Sequence, residues 1–281
     1  MKFNFFTFGG SQFWEDVFFY QKWRIQRNCH SKTYRLLDNW DIKRAEGSFE
    51  TCRKAFVKFI ETYEIPRQSG ELIILLHGLG ETKSIFRPLW KRLVKEGYNV
   101  AAINYPSTRK PMKYHIRQLE FFLNHCEDIN KVSFITKGAG CLLLRMLVAN
   151  TYGWQDNFKI GKVININPIN RGSDFFDIIS RFAPFNWLFG PMLKECRPID
   201  AQSISRLPAE IDTGIIFCET WPEKIFSPIV EKFKGMPLKF EVSEKDFASK
   251  ITTVKNTYCN VFNNPEVLDA CLKFLKDGKF N

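Results

Sequence analysis

Histidine is scarce in this chain: there are four, His30, His77, His115 and His125, and none follows residue 125. A mechanism that draws an imidazole base from the second half of the chain is therefore excluded. Apolar runs are short as well. Stretches such as Leu72 to Leu76 and Cys141 to Leu144 fall far below the roughly 18 to 20 residues that a membrane-crossing helix needs. The Phe-rich start, Met1 to Gly10, is too short for a signal-peptide apolar segment and no small-residue cleavage pattern follows, so secretion is not expected. The eight cysteines (Cys29, Cys52, Cys126, Cys141, Cys196, Cys218, Cys259 and Cys271) contain no C-x-x-C pair. That scatter suits reduced, buried thiols in a cytoplasm and offers no zinc-site spacing.

What is present suits one globular unit. The 281 residues are 44% hydrophobic, 25% charged and 15% aromatic, enough to build one large core over residues 1–281. Bases outnumber acids by 41 to 30, and the formal charge of +11 favours acidic partners such as anionic lipid headgroups. The cations are spread along the chain, and the denser groups, Arg87 to Lys95 and Arg109 to Arg117, have the helical spacing of solvated faces. Nucleic acid is not expected as a partner.

Phe13 to Asp38 alternates aromatic and basic residues around Cys29-His30-Ser31-Lys32, which predicts a hairpin of two antiparallel strands, Trp23 to Arg27 and Tyr34 to Leu37. Gly47 to Tyr63 then has helical periodicity and stops before Pro66. From Glu71 onward, short apolar strands alternate with amphipathic helices, the pattern of a mainly parallel sheet covered on both faces. The predicted strands are Leu72 to Leu76, Val100 to Asn104, Val132 to Thr136, Val163 to Asn167, Gly214 to Cys218 and Ile251 to Val254. The last helix is punctuated by Asn264 and Pro265 at its start and Gly278 at its end.

The first predicted parallel strand runs into His77-Gly78-Leu79-Gly80. A glycine-bounded turn lets backbone N–H groups approach a substrate oxygen, which is how an oxyanion site is built without a charged side chain. Here the sequence resembles the α/β-hydrolase superfamily, in particular its bacterial lipase and esterase-like members. Gly97-Tyr98-Asn99-Val100, Tyr105-Pro106-Ser107-Thr108, the Pro168, Asn170, Gly172, Ser173 set and the closing Leu272 to Phe280 are similar to that family's motifs in the same order. Phe13-Trp14 and Trp23-Arg24-Ile25-Gln26 resemble the leading segment of some members. The resemblance implies an α/β-hydrolase fold with an N-terminal antiparallel hairpin, and it implies Ala139 as a second contributor to the oxyanion-type loop.

In that family the nucleophile stands on a sharp strand-to-helix turn, G-x-S-x-G or T-H-S-x-G. The matching residues here are Thr136-Lys137-Gly138-Ala139-Gly140. Gly138, in the nucleophile's place, has no side chain to attack a carbonyl, and Lys137 stands where His is common. The family's base would fall near Asn256 and Tyr258, where there is no histidine. Gly235-Met236 resembles a family step that points to Glu223 as the matching acid, a carboxylate with no base to orient. Cys141 reads as a small buried residue, since a reactive thiol needs exposure and a base. Ser107, Thr136 and Lys137 have no evident activating pair, and His77 reads as a residue that steadies its own loop.

Residues 182–200 lie where the family inserts a lid. Phe185, Trp187, Leu188 and Phe189 there could line an acyl pocket, touch a membrane surface or simply pack against the sheet, and Phe182 to Leu193, with two prolines, is too short and irregular for a regular amphipathic helix. The resemblance and the broken triad together imply a non-catalytic, lipase- or esterase-related pseudoenzyme that binds an acyl, lipid or small-molecule ligand, or a protein partner. The alternative is a carboxylic-ester or acyl hydrolase with a non-standard catalytic arrangement. No metal or cofactor is called for. The expected location is cytoplasmic, with peripheral contact at the inner face of the membrane.

Overall fold

The computed structural model describes residues 12–150, 153–220, 247 and 250–280, excepting the side chains of 219–220 and 256–260. Its first unit is an antiparallel sheet of four strands in sequential order: β1 (Trp14–Tyr20), β2 (Trp23–Asn28), β3 (Tyr34–Leu37) and β4 (Lys43–Gly47). Two strands were expected and four are present. The extra pair escaped the pattern for physical reasons. The β1–β2 turn is made by Gln21 and Lys22, both left-handed (φ 46° and 75°), a conformation normally signalled by Asn-Gly. β4 is an edge strand with only Ala45 partly covered, so it has no apolar alternation. Val17, Phe18, Tyr20, Trp23, Ile25 and Leu36 pack on Cys52 and Phe56 of helix α1 (Phe49–Thr62), whose N-cap Ser48 accepts the Thr51 N–H at 3.1 Å.

The second unit is a six-stranded parallel sheet. Its strands are β5 (Glu71–Leu76), β6 (Asn99–Ile103), β7 (Lys131–Lys137), β8 (Lys159–Ile166), β9 (Thr213–Thr220) and β10 (Lys250–Thr257), in the order β10-β9-β8-β7-β5-β6. Bounds differ most at β8, which begins at Lys159 because the Lys159 to Lys162 stretch pairs without being apolar; Asn167 has already left it, with φ 44°. Successive residues of β5 serve opposite faces. Leu72, Ile74 and Leu76 meet helices α3 (Met112–Asn124) and α4 (Gly140–Ala149), while Ile73 and Leu75 meet α2 (Arg87–Lys95) and the final helix α9 (Pro265–Asp277). Asn264 caps α9 through the Glu266 N–H, and Gly278 ends it at φ 70°. Between β8 and β9 lie four short helices, α5 (Asp174–Ile179), α6 (Ala183–Phe189), α7 (Met192–Glu195) and α8 (Pro198–Ala201). No helix among the described residues is long and apolar enough to cross a membrane.

Asp16 joins the two units. Its carboxylate accepts the Asn104 N–H at 2.7 Å and the Gln26 amide at 2.8 Å, with the Lys83 ammonium 3.5 Å away, and its own N–H donates to Asn104 O at 2.9 Å. Gln118 donates to the carbonyls of both Asp16 and Asn104. Removing a buried, multiply bonded carboxylate strands its donors, so Asp16→Ala should lower unfolding free energy by about 3 kcal/mol. Urea titration checks this, and a loss below a few tenths of a kcal/mol would show that Asp16 does not tie Asn104, Gln26 and Gln118 together.

Candidate functional site

Leu76 of β5 pairs in register with Thr136 of β7, so both strands end at the same height and their following loops share one edge of the sheet. The turn after β7 lies close against β5: a Cβ on Gly140 would sit 2.6 Å from Leu76 O and 2.9 Å from His77 O. Glycine is required there by contact. Gly138 is required by conformation, at φ 52°, while its N–H donates to Ile166 O at 3.1 Å. α4 begins directly afterwards. The strand, sharp turn and helix expected around residues 136–140 are thus all present, with no side chain at the apex.

The neighbouring position carries an ion pair. Lys137 is buried, and its ammonium meets the Glu81 carboxylate. The other oxygen of Glu81 accepts the Gly78 N–H at 2.9 Å. The loop that could offer its N–H groups to a substrate oxygen therefore gives one of them to its own carboxylate. Gly80 gives a second to Ser107 Oγ at 3.1 Å. Among the described residues the N–H groups of Leu79 and Ala139 have no hydrogen-bond partner. One belongs to each of the two neighbouring loops, and a carbonyl or carboxylate oxygen is the acceptor they suit.

The four histidines are committed elsewhere. His77 is fully buried, stacked on Tyr105 with ring centres 4.0 Å apart, and its Nδ1 faces Gly78 O at 2.9 Å. Burial pushes its imidazole down to about 4. His115, also buried, contacts Lys110 O through Nε2 and is pushed by burial down to about 3. His125 stacks on Phe121, and His30 is exposed in the β2–β3 turn. None of them hydrogen-bonds a Ser, Thr or Cys side chain among the described residues. Ser107 is bound to Gly80, Thr136 donates to Asn165 Oδ1 at 2.6 Å, and Cys141 is buried in the first turn of α4. Glu223 lies outside the described residues, as do the side chains of Asn256 and Tyr258.

The lid segment consists of α6, α7 and α8 and divides in two. Met192, Leu193, Cys196 and Ala201 are core, whereas no residue of α6 is buried and Trp187 is 80% exposed. Packing against the sheet therefore does not describe Phe185, Trp187 and Leu188, which face solvent. Phe189 turns back onto the oxyanion-type loop, its ring 3.2 Å from where a Cβ of Gly80 would be. Gly190, at φ 70°, lets the segment press against Thr108 O, 2.0 Å from its would-be Cβ.

Glu81 is the residue that sequence reasoning missed. The available signal was an acid one residue beyond His-Gly-Leu-Gly, facing a lysine in the partner turn, a pairing that only the β5–β7 register reveals.

No protein-family model matches the sequence, and no curated protein matches it. Solved structures do resemble it. Lipase B of Aspergillus fumigatus has a TM-score of 0.51 at 14% identity, covering 73% of this chain and 52% of that one. A variant of tomato methylketone synthase I complexed with β-ketoheptanoate has a TM-score of 0.50 at 9% identity, covering 76% of this chain and 100% of that one. The chain has an α/β-hydrolase fold.

The buried imidazoles make stability depend on pH with a definite sign. Both have folded values below the unfolded value of 6.5, so their contribution is complete above pH 6.5 and is lost as pH falls toward 4, where the unfolded chain takes protons that the folded chain refuses. Each should steepen the loss by about 1.4 kcal/mol per pH unit in that window. His115→Gln should flatten the fall in unfolding free energy between pH 6.5 and 4.5 relative to the parent, measured by urea titration at each pH. Equal slopes would contradict the assignment.

Proposed function

We propose that this protein is a non-catalytic member of the lipase- and esterase-like hydrolases, a pseudoenzyme whose scaffold binds a ligand or a protein partner. The observation that carries the reading is Gly138, left-handed at the apex of an otherwise complete turn. The supporting facts are the absence of any histidine after residue 125 and the Lys137–Glu81 pair beside the turn. The open N–H groups of Leu79 and Ala139 favour a ligand with a carbonyl or carboxylate oxygen, as an acyl group has. Loss of triad members costs several orders of magnitude in rate, and residual polarisation of a carbonyl does not make an efficient hydrolase.

Incubation with a fluorophosphonate and with short acyl esters tests this directly. Neither labelling nor turnover is expected, and Gly138→Ser should stay within about tenfold of background because no histidine follows residue 125 to activate the new hydroxyl. Robust turnover abolished by one substitution would establish instead the alternative, an ester hydrolase with a non-standard arrangement.

A second reading concerns where the protein works. Phe182, Phe185, Trp187 and Leu188 present exposed apolar side chains on and beside α6, and the chain is strongly basic, a combination suited to peripheral contact with an anionic membrane. Co-sedimentation with vesicles containing phosphatidylserine should exceed that with neutral vesicles, fall at high salt, and drop at least threefold in Trp187→Ala. Indifference to lipid charge or to Trp187 removes this reading.

A further inference from the structure

A second candidate site lies where the two sheets meet and shares no residue with the residue 138 turn. A cleft of about 510 Å³ opens between the β1–β2 hairpin, the Asn39–Asp41 turn, the start of α2 and the outer edge of β6. An adjoining hollow of about 390 Å³ shares Lys22, Asn39 and Trp40 with it. Together these are ample for a small organic ligand.

The charges on its walls do not balance. Four cations, Lys22, Arg24, Lys83 and Arg87, face two acids, Asp16 and Asp41. Both acids are already engaged. Asp16 is held by Asn104 and Gln26, with Arg24 at 3.6 Å and Lys83 at 3.5 Å, and Asp41 pairs with Arg24. Lys22 and Arg87 are exposed and have no carboxylate partner among the described residues. The Lys22 ammonium lies instead 5.5 Å from the centre of the Trp90 ring. Burial, with Arg24 and Arg35 nearby, pushes the Lys83 ammonium down to about 8 despite Asp16. The cleft is thus short of negative charge.

Its other walls are aromatic. Phe19, Trp40 and Trp90 line it. Trp90 is oriented by donation from Nε1 to Val100 O at 3.1 Å, and Trp40 is left 72% exposed while its backbone N–H is held by Asp38 at 2.9 Å. The backbone around the cleft is strained for its residue types. Lys22 and Asp41 line it with φ 75° and 64°, and Gln21, in the adjoining hollow, has φ 46°. Left-handed non-glycine residues kept in place by their surroundings gather at binding sites.

We propose that this cleft binds a planar aromatic anion, with the ring against Trp40 and Trp90 and a phosphate or carboxylate group on Lys22 and Arg87. The indole faces supply stacking and the cations supply charge-assisted hydrogen bonds, so neither half of such a ligand is sufficient alone.

Isothermal titration of the 281-residue chain with 1-naphthyl phosphate and 1-naphthoate, against 1-naphthol and inorganic phosphate, tests the proposal and separates the two anion types. At least one aromatic anion should bind saturably and at least tenfold tighter than either control. The double substitution Lys22→Glu, Arg87→Glu and the single substitution Trp40→Ala should each weaken it at least tenfold. These side chains are exposed, and an unchanged circular dichroism spectrum and Tm confirm folding. Binding of 1-naphthol as tight as the anions, binding of inorganic phosphate alone as tight, no saturable binding of either anion, or insensitivity to the variants overturns the proposal.

Discussion

The close approach of the turn at residue 140 to the end of β5 governs the candidate site. With no side chain on Gly140, the backbone after β7 can lie against Leu76 O and His77 O, and the loop after β5 and the turn after β7 become one surface. A methyl group there would push them apart. The same approach holds Gly138 left-handed and brings Lys137, the last residue of β7, within reach of Glu81. The features that resemble a nucleophile turn are therefore those imposed by backbone geometry, and they persist although the reacting side chain is absent.

The Lys137–Glu81 pair gives a second physical reason to favour binding over catalysis. Burying two charges is costly unless each is bonded as well as paired, and here Glu81 also takes the Gly78 N–H. An oxyanion site accelerates acyl transfer because fixed dipoles meet a negative charge that develops only in the transition state. A permanent carboxylate in the same loop opposes that charge and has already engaged one of the donors. Lys137 compensates much of that field. A ligand whose oxygen is already polar in its ground state faces no such mismatch.

Much of the fold was legible because burial on both faces leaves a strong mark: Leu72 to Leu76, Val132 to Thr136 and the amphipathic helices could only belong to a covered parallel sheet. The ends of α9 were legible from Asn264, Pro265 and Gly278, whose roles are local. The β1–β2 turn was not, because Gln21 and Lys22 adopt a conformation that their side chains do not advertise. At the site, Gly138 and Lys137 stood out against the family pattern, but Glu81 did not. Its partner is 56 residues away in sequence and meets it only through strand register, which no local pattern encodes. The exposure of α6 was likewise hidden, since an apolar segment that faces solvent reads like one that faces a core.

The seam between the sheets follows from the same topology. β6 is the outer strand of the parallel sheet, and an open edge is a hazard for unwanted pairing. The antiparallel sheet covers this edge without extending its ladder, held at Asp16 and Asn104, and each sheet retains its own apolar core. Phe19 of β1 also packs on the core of the parallel sheet and Phe121 of α3 on that of the antiparallel one, and these contacts, with the Asp16 joint, hold the two walls on either side of the gap. The cleft is thus preformed, so a ligand entering it would order little beyond side chains such as Lys22 and Arg87. The two candidate sites differ in this respect: at residue 138 the chain supplies its own ion pair, while at the seam Lys22 and Arg87 meet no carboxylate among the described residues.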